Sequence, residues 1–306
     1  RSTSPMDIKL PANRNGKTPI FSRLTVEECM RRRAITLTAG SSIALAIRTF
    51  IKYKIDAALI VDDDDLPAGV VSRTEIMGAY YATLPVETPL GDIMASPVIQ
   101  CSPGDTLESA LTIMQQAGIH RIYVTDTSCR AVGSLSYPDI VGMLYKHCCY
   151  CEFGLRKKTA ESKDTRLRYT VRETMTAEIT SATVDETIEQ VIEKLSSFRL
   201  GALLIIGTTG YPAGVISKAD LALAYSRGIT TGESAAVIMN APPQLCHQDE
   251  SLEEAIRRMI LKEISRLFIY GKSEQEVIGV LSLSDTARLR SGSCHACSTT
   301  RIKVKE

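Results

Sequence analysis

Apolar residues recur at i, i+3, i+4 and i+7 in four separate stretches of this chain. They are Ile43, Ala46, Ile47 and Phe50; Leu107, Ala110, Leu111 and Met114; Ile188, Val191, Ile192 and Leu195; and Leu252, Ala255, Ile256 and Met259. That spacing lays one apolar stripe along a helix and predicts four amphipathic helices. Ser42, Thr106, Thr187 and Ser251 stand immediately before the stripes, where a side-chain oxygen can accept from the free N–H groups of a first turn. Short apolar runs follow, AALIV at 57–61, RIYV at 121–124, ALLII at 202–206 and RLFIY at 266–270, with the composition of buried strands. A turn leads each to a second strand that ends in a corner: GVVSRTE at 69–75, GSLSYPD at 133–139, GVISKAD at 214–220 and GVLSLSD at 279–285. Ser72, Ser136, Ser217 and Ser282 suit the cap of a following helix. Glu75, Asp139, Asp220 and Asp285 suit the third position of a capping box.

Strand, helix, strand, strand, helix is therefore written four times. Met30, Met94, Met175 and Met239 close the similar strings VEECM, LGDIM, VRETM and AAVIM, at intervals of 64, 81 and 64. The 81 exceeds 64 by 17, so the chain is two pairs of units with extra residues between them. Met30 to Met175, Ser72 to Ser217 and Cys101 to Cys246 are each 145 apart, which marks a duplicated pair. The expected organisation is an N-terminal tail at 1–24, units at 25–82 and 83–146, a Cys-containing basic linker at 147–168, units at 169–227 and 228–290, and a Cys-containing tail at 291–306. A unit of about 60 residues buries too little surface to stand alone, so units should pack in pairs around a pseudo-two-fold axis, leaving clefts lined by the corners. The fold class is α/β (α+β): four β-α-β-β-α units in two such pairs.

Composition changes little in this picture. At 306 residues, with 44% hydrophobic and 23% charged residues, the chain reads as a soluble globular protein. A formal net charge of +1 gives no reason to expect a nucleic-acid partner, and the units leave no room for a helix-turn-helix module. No apolar run approaches a membrane span, and RSTSPMDIKL lacks a signal-peptide core, so the expected address is the cytoplasm. Residues 1–5 precede Met6 and carry no weight here. There is no nucleophile–base pair, metal-catalytic helix motif or Walker-type loop, so no enzyme is expected.

Candidate chemistry lies at the corners. A capped helix start presents free N–H groups and partial positive charge, which suits phosphate. An acid one turn along can accept two hydrogen bonds from a ribose diol. The competing account is that these acids simply cap helices. The four-fold register with the glycine–apolar–apolar–Ser–x–x–acid corner resembles the CBS (cystathionine beta-synthase) domain, whose tandem pairs form Bateman modules, over nearly all of 25–290. The four-unit layout is similar to the gamma subunit of AMP-activated protein kinases. That resemblance implies adenosyl nucleotides (AMP, ADP or ATP, with S-adenosylmethionine or cyclic di-adenylate as further candidates) bound between paired units to regulate a protein target.

Residue by residue, the resemblance places His120 and Arg121 before the second strand of the second unit, with Ser136 and Asp139 at its corner. The fourth unit offers Arg266 with Ser282, Ser284 and Asp285, and the third keeps Ser217 and Asp220 but has Gly201 and Ala202 in place of the cation pair. The first unit departs most, with Asp56 and Ala57 in those places and Ser72 and Glu75 at the corner. Arg121 and Arg266 are the expected phosphate anchors, because a guanidinium offers a fork of donors to phosphate oxygens; surface ion pairing is the plainer reading of both. Lys54 and Arg199, 145 apart, and the run Arg31, Arg32 and Arg33 could add charge to a cleft or be solvated.

A second constellation is independent of nucleotides. Cys148 and Cys151 follow the last helix of the first half at CxxC spacing, and Cys294 and Cys297 follow that of the second, 146 residues on in each case. Together they could hold zinc or, less readily, an iron–sulfur cluster; free thiols and a reversible disulfide in each half are the alternatives. Cys29, Cys101, Cys129 and Cys246 read as small core residues. The expected function is thus a non-catalytic nucleotide sensor. The alternative is a metal- or redox-responsive interaction scaffold with vestigial clefts. A homodimer is compatible with both.

Overall fold

The computed structural model describes residues 23–150 and 170–289, with side chains described for 23–143 and 170–287. After a short helix α1 (Val26–Cys29), the first unit runs β1 (Thr36–Thr38), α2 (Ile43–Tyr53), β2 (Ala57–Val61), β3 (Pro67–Ser72) and α3 (Arg73–Tyr81). The second runs β4 (Gln100–Cys101), α4 (Leu107–Ala117), β5 (Arg121–Thr125), β6 (Ala131–Ser136) and α5 (Tyr137–Tyr150). The third runs β7 (Ser181–Thr183), α6 (Ile188–Ser197), β8 (Ala202–Ile206), β9 (Pro212–Ser217) and α7 (Lys218–Ser226). The fourth runs β10 (Leu245–His247), α8 (Leu252–Leu261), β11 (Arg266–Tyr270), β12 (Val277–Ser282) and α9 (Leu283–Leu289). Each unit holds a three-stranded sheet whose middle strand pairs parallel with the first and antiparallel with the third, as in Leu59 with Thr36 and with Val70.

The stripe helices form where their pattern and caps place them. Ser42, Thr106, Thr187 and Ser251 accept from the amides of Leu45, Ser109, Gln190 and Glu254. Every stripe residue is buried. The cysteines divide, however. Cys29, Cys101 and Cys246 are buried and burial pushes their thiols up to about 12, whereas Cys129 is exposed. It sits at the tip of the β5–β6 turn with φ 61°, so the turn geometry holds it out of the core that its residue type favours.

Repetition conceals an exchange of segments. Each opening string packs on the other unit of its pair rather than on its own. The amides of Val26 and Glu27 donate to Asp105 and Pro103 carbonyls of the second unit, and those of Leu90 and Gly91 donate to Ser41 and Ala39 of the first. Val171 and Ala235 do the same on the fourth and third units. The corner glycines make the crossing possible: a Cβ on Gly133 would stand 2.5 Å from the Arg31 carbonyl oxygen, and one on Gly214 2.7 Å from that of Asn240.

Helices then join the pairs. One core unites the first and third units, where the Tyr80 and Tyr225 rings stack at 4.9 Å. Each hydroxyl donates across that interface, Tyr80 to the Ile229 carbonyl at 2.7 Å and Tyr225 to Leu84 at 2.5 Å. A second core unites the second and fourth units with Val26 and Val171. A small third cluster, Leu59, Val61 and Tyr123, lies between the sheets of the first and second units. No helix of the described residues is long and apolar enough to cross a membrane.

Candidate functional site: the clefts between paired units

The corners are capping boxes first. In all four, one oxygen of the acid accepts both the amide and the hydroxyl of the serine: Ser72 to Glu75, Ser136 to Asp139, Ser217 to Asp220 and Ser282 to Asp285. Ser284 shares a hydrogen bond with Ser282 at 2.7 Å. What distinguishes the corners is the acid's other oxygen, and the crossing segment decides it. The residue after each methionine arrives beside the corner of the other unit. Arg31 donates from Nε to Asp139 Oδ1 at 2.8 Å, and Asn240 donates to Asp220 Oδ1 at 2.6 Å. Ala95 and Thr176 hold the matching places at the other two corners. Among the described residues, Glu75 Oε1 and Asp285 Oδ1 accept no hydrogen bond.

The two expected anchors have different surroundings. Arg121, whose side chain is 10% exposed, points both Nε (2.9 Å) and Nη2 (2.6 Å) at Asp56 Oδ1, and Nη1 at Ser134 Oγ (3.0 Å). Asp56 is the residue that replaces the histidine of the second unit, so the cation of one unit is neutralised by the deviant position of its neighbour. Burial works to raise the Asp56 carboxyl, but the Arg121 charge and hydrogen bonds, helped by Arg73, outweigh it and hold the pKa below the usual value. Arg266 occupies the equivalent place in the other pair. It lies over Gly201, where a Cβ would meet Nη2 at 3.0 Å, and donates to the Ala202 carbonyl at 3.3 Å. It makes no ion pair among the described residues, and burial depresses its pKa despite the nearby Asp285. Lys218 stands close enough to Arg266 to be depressed by it as well, after the larger effect of burial.

A cavity of about 170 Å³ opens beside Arg121, between the first and second units. Ile35, Tyr53, Ile55 and Ala57 supply an apolar wall, and Arg31, Arg33, Arg121, Tyr123 and Ser134 the polar one. Of the basic run, Arg31 and Arg33 therefore face the cleft, whereas Arg32 is 77% exposed and 3.8 Å from Glu27. Lys54 is drawn away to Glu263 of the fourth unit at 2.5 Å. His120 packs edge-on against Tyr137 with centroids 5.6 Å apart.

Sequence reasoning missed Asp56 as a partner of Arg121, and Tyr123 and Ser134 as cleft residues. The signal existed for Asp56, since an acid standing where a cation is expected is a candidate to pair with one. For Ser134 and Tyr123 only strand register reveals the face. The CxxC expectation falls elsewhere: Cys151, Cys294 and Cys297 lie outside the described residues, as does the side chain of Cys148, whose backbone belongs to α5. Among the described residues no group of His, Cys, Asp and Glu could hold a metal.

A family model for the CBS domain matches residues 26–82, 90–146, 171–227 and 235–292. The uncharacterized protein MJ1225 of Methanocaldococcus jannaschii is 22% identical over 197 residues, 64% of this chain and 68% of that one. The crystal structure of MJ1225, described as a proposed archaeal homologue of gamma-AMPK, covers 87% of this chain and 99% of its own at 13% identity, with a TM-score of 0.72. MK0525 of Methanopyrus kandleri, also uncharacterized, is 27% identical over 123 residues, 39% of this chain and 61% of that one. A conserved protein from Pyrococcus horikoshii covers 87% of this chain and 100% of its own at 17% identity, with a TM-score of 0.57. The structural likenesses speak for the fold.

Proposed function

Because this chain belongs to the CBS domain family, with four copies in two pairs, we propose that it is a non-catalytic regulatory protein that binds adenosyl compounds between paired units. The observation that carries the reading is the cavity between the first and second units, where an apolar strand edge faces a wall of donors. A purine fits the wall of Ile35, Ile55 and Ala57, and its sugar then points toward a corner acid. Each acid already spends one oxygen on its serine, so the diol takes the other. At Asp285 that oxygen is available among the described residues. At Asp139 and Asp220 the diol replaces Arg31 and Asn240, which costs affinity and couples binding to movement of the crossing segment. Arg266, with Lys218 nearby, is the cationic place for a phosphate, since a half-buried guanidinium without a carboxylate gains most from an anion. A corner that holds the crossing segment without ligand and releases it with ligand is a device for signalling to a protein target.

The test is thermal denaturation of the whole chain with AMP, ADP, ATP, S-adenosylmethionine and cyclic di-adenylate. A ligand at one hundred times its Kd stabilises by about 2.7 kcal/mol, a rise of several degrees. Arg266→Gln should remove the preference for phosphorylated ligands. No shift with any of the five at millimolar concentration sinks the reading.

A further inference from the structure

We infer that the cleft between the first and second units takes a phosphate-free nucleoside, that the Tyr123 hydroxyl reads it, and that Asp56 bars phosphate from it. This rests on the adenosyl reading above and divides the labour between the two pairs.

Tyr123 supplies the first observation. It is 2% exposed, lines the cavity, and its hydroxyl has no hydrogen-bond partner among the described residues. The same register position holds Leu59, Leu204 and Phe268 in the other three units. Packing between the sheets therefore asks only for an apolar side chain there, and the hydroxyl is surplus to it. Buried hydroxyls are nearly always paired, and an unpaired one is costly. A ligand heteroatom in the cavity supplies the partner.

Charge supplies the second. Arg121 directs Nε and Nη2 to Asp56 and Nη1 to Ser134, so its fork is turned onto the protein. Both partners vanish together in the other pair. Gly201 stands 145 residues after Asp56, and Val280 pairs with Phe268 as Ser134 pairs with Tyr123. A phosphate entering the first cleft meets an ionised carboxylate already seated on the guanidinium, and like charges at that range repel. Arg31 and Arg33 are both exposed, where solvent and salt weaken their pull on a phosphate.

Equilibrium dialysis of the whole chain with labelled adenosine and AMP, alone and in competition, tests this. The wild type should hold adenosine at a site from which AMP does not displace it. Tyr123→Phe should weaken that adenosine site at least tenfold while leaving the ligand-free melting temperature unchanged or higher, because the unpaired hydroxyl is gone. Asp56→Asn should let AMP compete there at least tenfold better, and Gly201→Asp should weaken AMP binding in the other pair by a similar factor. Unchanged adenosine binding in folded Tyr123→Phe, or displacement of all adenosine by AMP in the wild type, overturns the inference and leaves the nucleotide reading standing. Failure of both ligands to bind the wild type overturns both.

Discussion

Replacing Gly133 by alanine puts the segment exchange to a direct test. The new Cβ would lie 2.5 Å from the Arg31 carbonyl oxygen and 2.8 Å from Met30 Sδ. The sulfur can swing aside. The carbonyl cannot move alone, because Arg31 and Ser134 exchange two backbone hydrogen bonds of 2.9 and 3.0 Å at that point. Forcing the segments apart weakens both bonds, each worth about 1 kcal/mol, so a loss of roughly 2–3 kcal/mol is expected, within the usual range for overpacking. For a module of this size that is a fall of roughly 5–10 °C in melting temperature. Gly78→Ala is the paired control. Gly78 lies inside α3 with nothing within 4 Å of an added Cβ, so it should gain about 0.5–1 kcal/mol from helix propensity. Urea denaturation of the three proteins, read by circular dichroism, gives both values. If Gly133→Ala unfolds within about 0.5 kcal/mol of the wild type, or if both variants move in the same direction, the close crossing described here is wrong.

Other outcomes follow from the same geometry. Asp56 has a folded pKa below its unfolded value, so the stability it contributes is fully present above the unfolded carboxylate pKa of about 4 and is lost as pH falls through the lower folded value. An acid titration of stability should therefore fall less steeply in Asp56→Asn than in the wild type, and equal slopes would refute the pairing with Arg121. Tyr80→Phe and Tyr225→Phe each delete one hydrogen bond across the interface of the first and third units and should each cost about 1 kcal/mol in chemical denaturation, leaving the stacked rings in place. Metal analysis of anaerobically purified protein separates the readings of the CxxC pairs: stoichiometric zinc or iron supports a metal site, and the absence of both leaves free thiols or a disulfide in each half.

Much of the architecture is legible along the chain because it depends on neighbours in sequence. The stripe of Ile43, Ala46, Ile47 and Phe50, its cap at Ser42 and the box of Ser72 with Glu75 are all settled within one or two helical turns, and their four-fold recurrence reveals the repeat. The candidate site is less legible, because its contents arrive from distant places: Arg31 reaches Asp139 and Asp56 reaches Arg121 only after folding.

The sequence by itself determined four equivalent units and the polar residues at their corners. It did not say which unit each would touch, since repeats of one pattern offer similar apolar surfaces. Tertiary structure made that choice, and the residue just after each corner serine gives the reason. Tyr137 and Leu283, in the second and fourth units, are buried in one shared core. Arg73 and Lys218, in the first and third, are instead charged: Lys218 Nζ donates across to Thr74 Oγ1 at 2.9 Å, and Arg73 feels Asp56 of its own unit and, less strongly, Asp220 of the third. Joining unlike units would set a cation against an apolar core, and the cost of stripping water from that charge among apolar side chains opposes it.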